Sequence, residues 1–326
     1  MKKPLIEVRN LRKYFPVKRQ VLEALRGKKQ EYLKAVDRVD LLIHEGETLG
    51  LVGESGCGKS TLARTIIRLY RPDEGDIFFD DVNLARLSDR AMRPYRRNLQ
   101  MIFQDPYSSL NPRMTTRELL AEAIRFHRIC GPDEQDNKIR EVMDLVGLSS
   151  DAAGRLPSEF SGGQRQRIGI ARAIVLDPRI IIADEPVSAL DVSIQAQVIN
   201  LLSDLQERLN LTMLFISHDL RVVRHITGRV AVMYLGKIVE LAPTEMVFTR
   251  PLHPYTDILL KAEPGLDPRV RNKEVAIQGE PPSPIRLPQG CRFSSRCPRC
   301  QDRCRAAEPA LHEIRTGCFA ACHYPL

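Results

Sequence analysis

Three short segments of the chain have the residue types and spacing to do phosphate chemistry. The first is Gly53-Glu54-Ser55-Gly56-Cys57-Gly58-Lys59-Ser60-Thr61, which fits the pattern G-x-x-x-x-G-K-[ST]. It follows an apolar strand-like run, Leu49 to Val52, and precedes a stretch from Leu62 to Leu69 that suits a helix. In that setting glycines let backbone N–H groups wrap the β- and γ-phosphates of a nucleotide at a helix N-terminus. Lys59 would neutralise the terminal phosphates and the Ser60 hydroxyl would ligate Mg2+. The second segment, Ile180-Ile181-Ile182-Ala183-Asp184-Glu185, reads as a buried strand ending in two carboxylates. Asp184 would hold Mg2+ through water, and Glu185 would orient and deprotonate an attacking water. The third, Phe160-Ser161-Gly162-Gly163-Gln164, opens a helix rich in small residues and offers another anion-binding N-terminus.

These segments need elements to place them. Residues 5–9, 38–52 and 76–80 read as strands, the last after a Pro-Asp-Glu-Gly turn. Residues 16–34 form a basic insertion, expected as a loop or helix, and 115–148 have the apolar spacing of a helix. Strand 180–183, helix 192–209 and strand 213–216 then follow in βαβ order. Continuous β-branched runs between helices imply strands buried on both faces, hence a largely parallel sheet and an α/β fold. After residue 250 the composition shifts to Pro, Arg and Cys, which divides the chain into an ATPase domain over 1–250 and an extension over 251–326. No repeat of 20–50 residues is visible.

Taken together, the three motifs resemble the ATP-binding-cassette (ABC) ATPases, with Ser161-Gly162-Gly163-Gln164 matching the family signature. The resemblance covers roughly residues 5–250 and implies a P-loop (RecA-like) core with antiparallel β and α-helical subdomains, the helical one spanning about 105–165. It adds further site residues. Gln104 is similar to the Q-loop glutamine that contacts Mg2+ and senses the membrane subunit, Asp191 to the D-loop aspartate, and His218 to the switch histidine. Phe15, with Tyr14 as the alternative, resembles the aromatic that stacks on adenine. The resemblance also implies a head-to-tail dimer in which each ATP lies between one phosphate loop and the partner's signature.

A closer likeness, to the ATPase subunits of bacterial oligopeptide and dipeptide importers, rests on Met101 to Arg113, on Ala183 to Val192, and on Leu252-His253-Pro254-Tyr255-Thr256. The basic insertion at 16–34 resembles the second of the two paired ATPases of such systems. Nickel and glutathione importers share much of the pattern. One departure is Arg155-Leu156-Pro157-Ser158-Glu159-Phe160, where relatives commonly carry Tyr-Pro-His before Glu-Phe. The partners implied are a second ABC ATPase subunit in a heterodimer, two transmembrane permease subunits and an extracytoplasmic solute-binding protein. The place implied is the cytoplasmic face of the bacterial inner membrane.

Composition bounds these readings. The chain has 326 residues, 43% apolar and 28% charged, enough to bury a core without a disulfide scaffold. Aromatics are 6% and Trp is absent, which argues against an aromatic-lined binding protein. No run of about 18 apolar residues is present, and Met1-Lys2-Lys3 meets charge too soon for a secretory signal. A net charge of +8 keeps a nucleic-acid partner in view. The basic segments 12–30 and 86–97 lack the interleaved aromatics of a single-strand platform, so no nucleic-acid partner is expected.

Six of the eight cysteines crowd residues 291–322. In a cytosolic chain that points to metal rather than disulfides. Cys297 and Cys300 have the C-x-x-C spacing of a zinc knuckle. The pattern Cys291-x5-Cys297-x6-Cys304, with Cys322, resembles the tail of the same importer ATPases, which implies a 4Fe-4S cluster on those four residues, with Zn2+ the alternative metal. Cys300 and Cys318 are alternative ligands. Arg292, Arg296, Arg299, Arg303 and Arg305 would offset the cluster's negative charge.

Overall fold

Alternation of buried and exposed residues shapes the first part of the chain. A computed structural model describes residues 3–17, 30–262 and 282–326, so most of the basic insertion at 16–34 lies outside the described residues. Strand β1 (Pro4–Pro16) runs well beyond the expected 5–9, because an irregularity between Arg9 and Arg12 lets pairing with β4 (Glu74–Phe79) resume. The segment expected as strand over 38–52 is two strands, β2 (Tyr32–His44) and β3 (Thr48–Val52). Between them the His44 N–H donates to the Glu47 carboxylate at 2.6 Å, and Gly46 takes φ 71° to close the turn.

Two units emerge from the contacts within the chain. One is built from Pro4–Leu42, Leu49–Arg86 and His218–Leu326. It contains an antiparallel sheet in the order β2-β1-β4-β5, where β5 is Val82–Asn83. It also contains β3 running parallel to β9 (Arg229–Tyr234), with β9 antiparallel to β10 (Lys237–Pro243). The cysteine-rich tail is not set apart from this unit. Its strands β11 (His312–Arg315) and β12 (Cys318–Ala320) pair antiparallel, and β12 extends the sheet from β10.

The other unit comprises chiefly Ile43–Thr48 and Leu87–Ser217. Three strands, β6 (Leu99–Ile102), β7 (Ile180–Asp184) and β8 (Thr212–Ile216), are parallel, as their unbroken apolar runs require. The helical pattern over 115–148 resolves into two helices, α4 (Thr116–His127) and α5 (Pro132–Leu145). Arg128 turns left-handed at φ 53° to end α4, and Pro132 sits at the first turn of α5, where its missing N–H costs nothing. Helices α6 (Gly162–Ile174) and α7 (Val192–Leu209) complete this unit's framework. Among the described residues no helix is long and apolar enough to cross a membrane.

Candidate functional site

The loop after β3 has the geometry that its glycines make possible. Gly53 sits at φ 149°, and a Cβ there would lie 2.1 Å from the Met233 carbonyl oxygen. Gly58 sits at φ 112°, with the Ala35 carbonyl oxygen 2.0 Å from where a Cβ would be. Both positions therefore exclude every side chain. Helix α1 (Lys59–Ile66) starts directly after Gly58, so its first-turn N–H groups lie at the loop. Lys59 is 5% exposed, and its ammonium donates to the carbonyls of Gly53 at 2.7 Å and Glu54 at 3.0 Å. The charge is thus held over the loop. Cys57 is buried and its carbonyl accepts from the Gly236 N–H at 2.8 Å, while Ser55 and Gly56 are exposed, and Ser60 and Thr61 half-buried.

In the other unit, parallel register sets Ile102 beside Ala183, so Gln104, Asp184 and Glu185 leave the sheet at one carboxyl edge. Ligands in α/β folds bind at such edges. Asp184 is fully buried at the strand end. Glu185 is half-buried and adopts φ 50°, a left-handed backbone that a non-glycine residue occupies at a cost. The Ile216 carbonyl accepts from its N–H at 3.0 Å and thereby fixes that conformation. Its carboxylate accepts from Gln104 Nε2 at 3.0 Å, so Gln104 and the second carboxylate do come together.

The signature segment caps its helix. Ser161 Oγ accepts from the Gln164 N–H at 3.3 Å, and Gln164 Oε1 accepts from the Ser161 N–H at 3.0 Å, a reciprocal capping box. Ser161 and Gln164 are exposed, whereas Gly163 is buried, with Ile194 Cγ2 of α7 2.5 Å from where a Cβ would stand. Asp191 precedes α7 and is exposed; Gln195 Nε2 steadies that turn by donating to the carbonyls of Val187 and Leu190. Arg165 of α6 stacks over the ring of Tyr107, itself 64% exposed, and Arg172 donates to the Ser109 carbonyl at 2.6 Å. These contacts tie the segment after Gln104 to the signature helix. His218 is exposed, and the adjacent Asp219 caps helix α8 (Leu220–Ile226).

Of the two aromatic candidates, Tyr14 is committed elsewhere: its hydroxyl donates to Asp37 at 2.6 Å, and burial with that hydrogen bond raises its pKa. Phe15 is half-buried and meets Tyr70 edge-on at 5.5 Å.

Cys291, Cys297, Cys304 and Cys322 line one hollow, part of it open to solvent. His253, Phe293 and Arg299 line it as well. Burial, together with the thiols of Cys322, Cys304 and Cys297, pushes the Cys291 thiol up to about 11. Cys300 and Cys318 do not line the hollow; Cys300 turns toward the Gln301 carbonyl and Cys318 is buried on β12. Among the described residues, no group of three or more His, Cys, Asp or Glu side chains is placed to hold a metal, so the expected metal centre is not seen in the arrangement of these thiols. Of the five arginines expected to offset cluster charge, Arg299 lines the hollow, while Arg292 pairs with Asp37 and Glu308, Arg296 with Glu54 and Arg305 with Asp302.

Sequence reasoning missed several residues that meet the phosphate loop. The Tyr255 hydroxyl accepts from the Glu54 N–H at 2.8 Å, and Arg296 grips the Glu54 carboxylate with both terminal nitrogens at 2.9 Å. Buried Glu240 accepts from the N–H groups of Leu252 and His253 at 2.8 and 2.9 Å and so holds the Leu252–Thr256 segment in place. The Leu-His-Pro-Tyr-Thr motif was the available signal, but it served only as a mark of kinship.

Residues 36–188 match the ABC transporter family, and residues 239–304 match the oligopeptide/dipeptide transporter C-terminal region. The chain is 51% identical to the oligopeptide transport ATP-binding protein AppF of Bacillus subtilis, covering 98% of this chain and 97% of that one. It is 50% identical to a putative peptide import ATP-binding protein of Brucella ovis, again over 98% and 97%. Among solved structures, the dimeric ATP-binding cassette MJ0796 in a post-hydrolysis state with ADP and Pi superposes with a TM-score of 0.63 at 29% identity, covering 73% of this chain and 98% of that one.

Proposed function

Because the chain belongs to the ABC transporter ATP-binding family, in its oligopeptide and dipeptide branch, we propose that it hydrolyses ATP to power peptide import. The observation that carries this reading is a match running almost end to end and including the C-terminal region, where cassettes of other systems diverge. Lys59 and the loop amides bind the phosphates, and Ser60, Gln104 and Asp184 hold Mg2+. Glu185 activates water, and His218, the switch histidine, is the second catalytic residue. Phe15 stacks on adenine. Ser161 to Gln164 and Asp191 act on the nucleotide of a partner cassette. The domain plan is a cassette over 1–250, with a helical subdomain at about 105–165, followed by an extension over 251–326.

The partners in this reading are a second ATPase subunit, two transmembrane permeases and an extracytoplasmic binding protein, at the cytoplasmic face of the bacterial inner membrane. Solubilised membranes from cells expressing the tagged chain should yield the permeases with it. Reconstituted complex should take up labelled di- or oligopeptides only with ATP. Uptake of nickel or glutathione but not peptides would overturn the solute, and absence of any integral membrane partner would overturn the importer.

The four thiols that line the hollow support a 4Fe-4S cluster as the tail's cofactor. Four cysteine thiolates are the ligand set such a cluster takes, and these four line one hollow. Anaerobically purified protein should contain iron and sulfide. Stoichiometric zinc without iron would overturn the choice of metal.

A further inference from the structure

The cysteine-lined hollow and the nucleotide-binding end of its unit are joined by two arginines, each the chain neighbour of a hollow-lining cysteine. Arg292 follows Cys291, and Arg296 precedes Cys297. Arg296, with a side chain only 5% exposed, donates through Nη1 and Nη2 to Glu54 Oε2 and Oε1, both at 2.9 Å, and through Nη1 to the Tyr234 hydroxyl at 3.2 Å. Its Nε is buried without a hydrogen-bond partner among the described residues, a cost that the rest of the grip must outweigh. Arg292 donates to the Leu235 carbonyl and to Asp37 Oδ2, and Asp37 in turn accepts from the Tyr14 hydroxyl beside Phe15. One arginine therefore reaches the phosphate loop and the other reaches the aromatic end.

A packed strut backs these ion pairs. His253 and Phe293 line the hollow, and their rings stand 5.9 Å apart. Phe293 lies 5.4 Å from the ring of Tyr255, whose hydroxyl accepts from the Glu54 backbone N–H. Glu54 is thus held by its main chain and its side chain, in both cases by residues beyond position 250. A planar guanidinium on a carboxylate fixes orientation as well as distance. An acidic residue inside a phosphate loop would otherwise repel the nucleotide. The Arg296 pairing offsets the Glu54 charge and holds the carboxylate in one orientation.

From this we infer that Arg296 is a positioning residue for the phosphate loop, and that the cysteine-rich tail sets nucleotide affinity through it. The inference rests on the reading of residues 53–61 as the nucleotide site. Loss of the tail's local order frees Arg296, and Glu54 then faces the bound phosphates uncompensated.

The test measures the dissociation constant of a fluorescent ATP analogue with Mg2+ on the full chain, alongside kcat and KM in the assembled complex. Arg296→Gln should weaken binding roughly tenfold, as expected for loss of a charge-assisted bidentate contact, with kcat at saturation changed less than about twofold. Arg296→Lys should recover part of the loss. Glu54→Gln should remove the need for the arginine, so the double variant Glu54→Gln with Arg296→Gln should bind more tightly than Arg296→Gln alone. Cys297→Ser, which disturbs the hollow and leaves every loop residue intact, should shift affinity in the same direction as Arg296→Gln. Unchanged affinity in Arg296→Gln while Lys59→Ala abolishes binding would overturn the inference alone. Equal affinity losses that add in the double variant would overturn it too. Retained binding in Lys59→Ala would instead remove the nucleotide reading on which it depends.

Discussion

Replacing Glu185 by Gln should separate chemistry from binding, and the structure gives the size of both effects. The left-handed backbone at φ 50° costs Glu and Gln alike, so the substitution adds no strain there. The Ile216 carbonyl still accepts from the residue 185 N–H, and an amide oxygen can still accept from Gln104 Nε2 where the carboxylate does so at 3.0 Å. At the Gln104 contact, what is lost is charge on an exposed hydrogen bond, worth less than about 1 kcal/mol in stability. Loss of a general base, by contrast, lowers turnover by about 10²–10⁴-fold, or roughly 3–5 kcal/mol in activation free energy. Phosphate release at saturating Mg-ATP should therefore collapse while thermal unfolding and nucleotide affinity stay near wild type. Turnover within about threefold of wild type would refute the assignment. So would an affinity loss matching the turnover loss, since Glu185 would then be a binding residue.

Lys59→Ala should abolish nucleotide binding as read by analogue fluorescence, because no other cation is so placed over the carbonyls of Gly53 and Glu54 among the described residues. Ser161→Asp keeps an N-cap acceptor for the Gln164 N–H, so unfolding should be unaffected. The added charge should still cut hydrolysis by roughly tenfold or more through repulsion of the partner's phosphates. Gly163→Ala should destabilise the chain by about 1–3 kcal/mol in urea titration, because its Cβ would sit 2.5 Å from Ile194 Cγ2. Adding Ile194→Ala removes the obstructing atom and should restore much of that loss.

The parts of this protein that were legible in the sequence are those whose cause is local. The phosphate loop could be read because glycines at φ 149° and 112° tolerate no substitute, so the geometry is written in residue type. The parallel strands could be read because burial on both faces leaves no polar position to break the apolar run. The boundary at Arg128 was marked by the Gly131-Pro132 pair just beyond it, but the apolar spacing on either side continues as though one helix ran through and masks that signal. Strand β1 was undervalued for a related reason: its second half pairs across an irregularity with residues more than 60 positions away.

The contacts that hold Glu54 of the phosphate loop were the least legible of all. Arg296 and Glu54 are 242 positions apart, and neither residue is unusual where it stands. Five arginines among the tail cysteines suggested a shared task, the offsetting of cluster charge, when read by proximity along the chain. Folding assigned them separately, because a guanidinium buried to 5–6% exposure demands a carboxylate of its own. Arg296 takes Glu54 of the phosphate loop, and Arg292 takes Asp37 together with Glu308 of the tail itself. A tail that packed against this unit through apolar contacts alone would be a passive appendage. One that buries two ion pairs there has linked its own order to the shape of the phosphate loop.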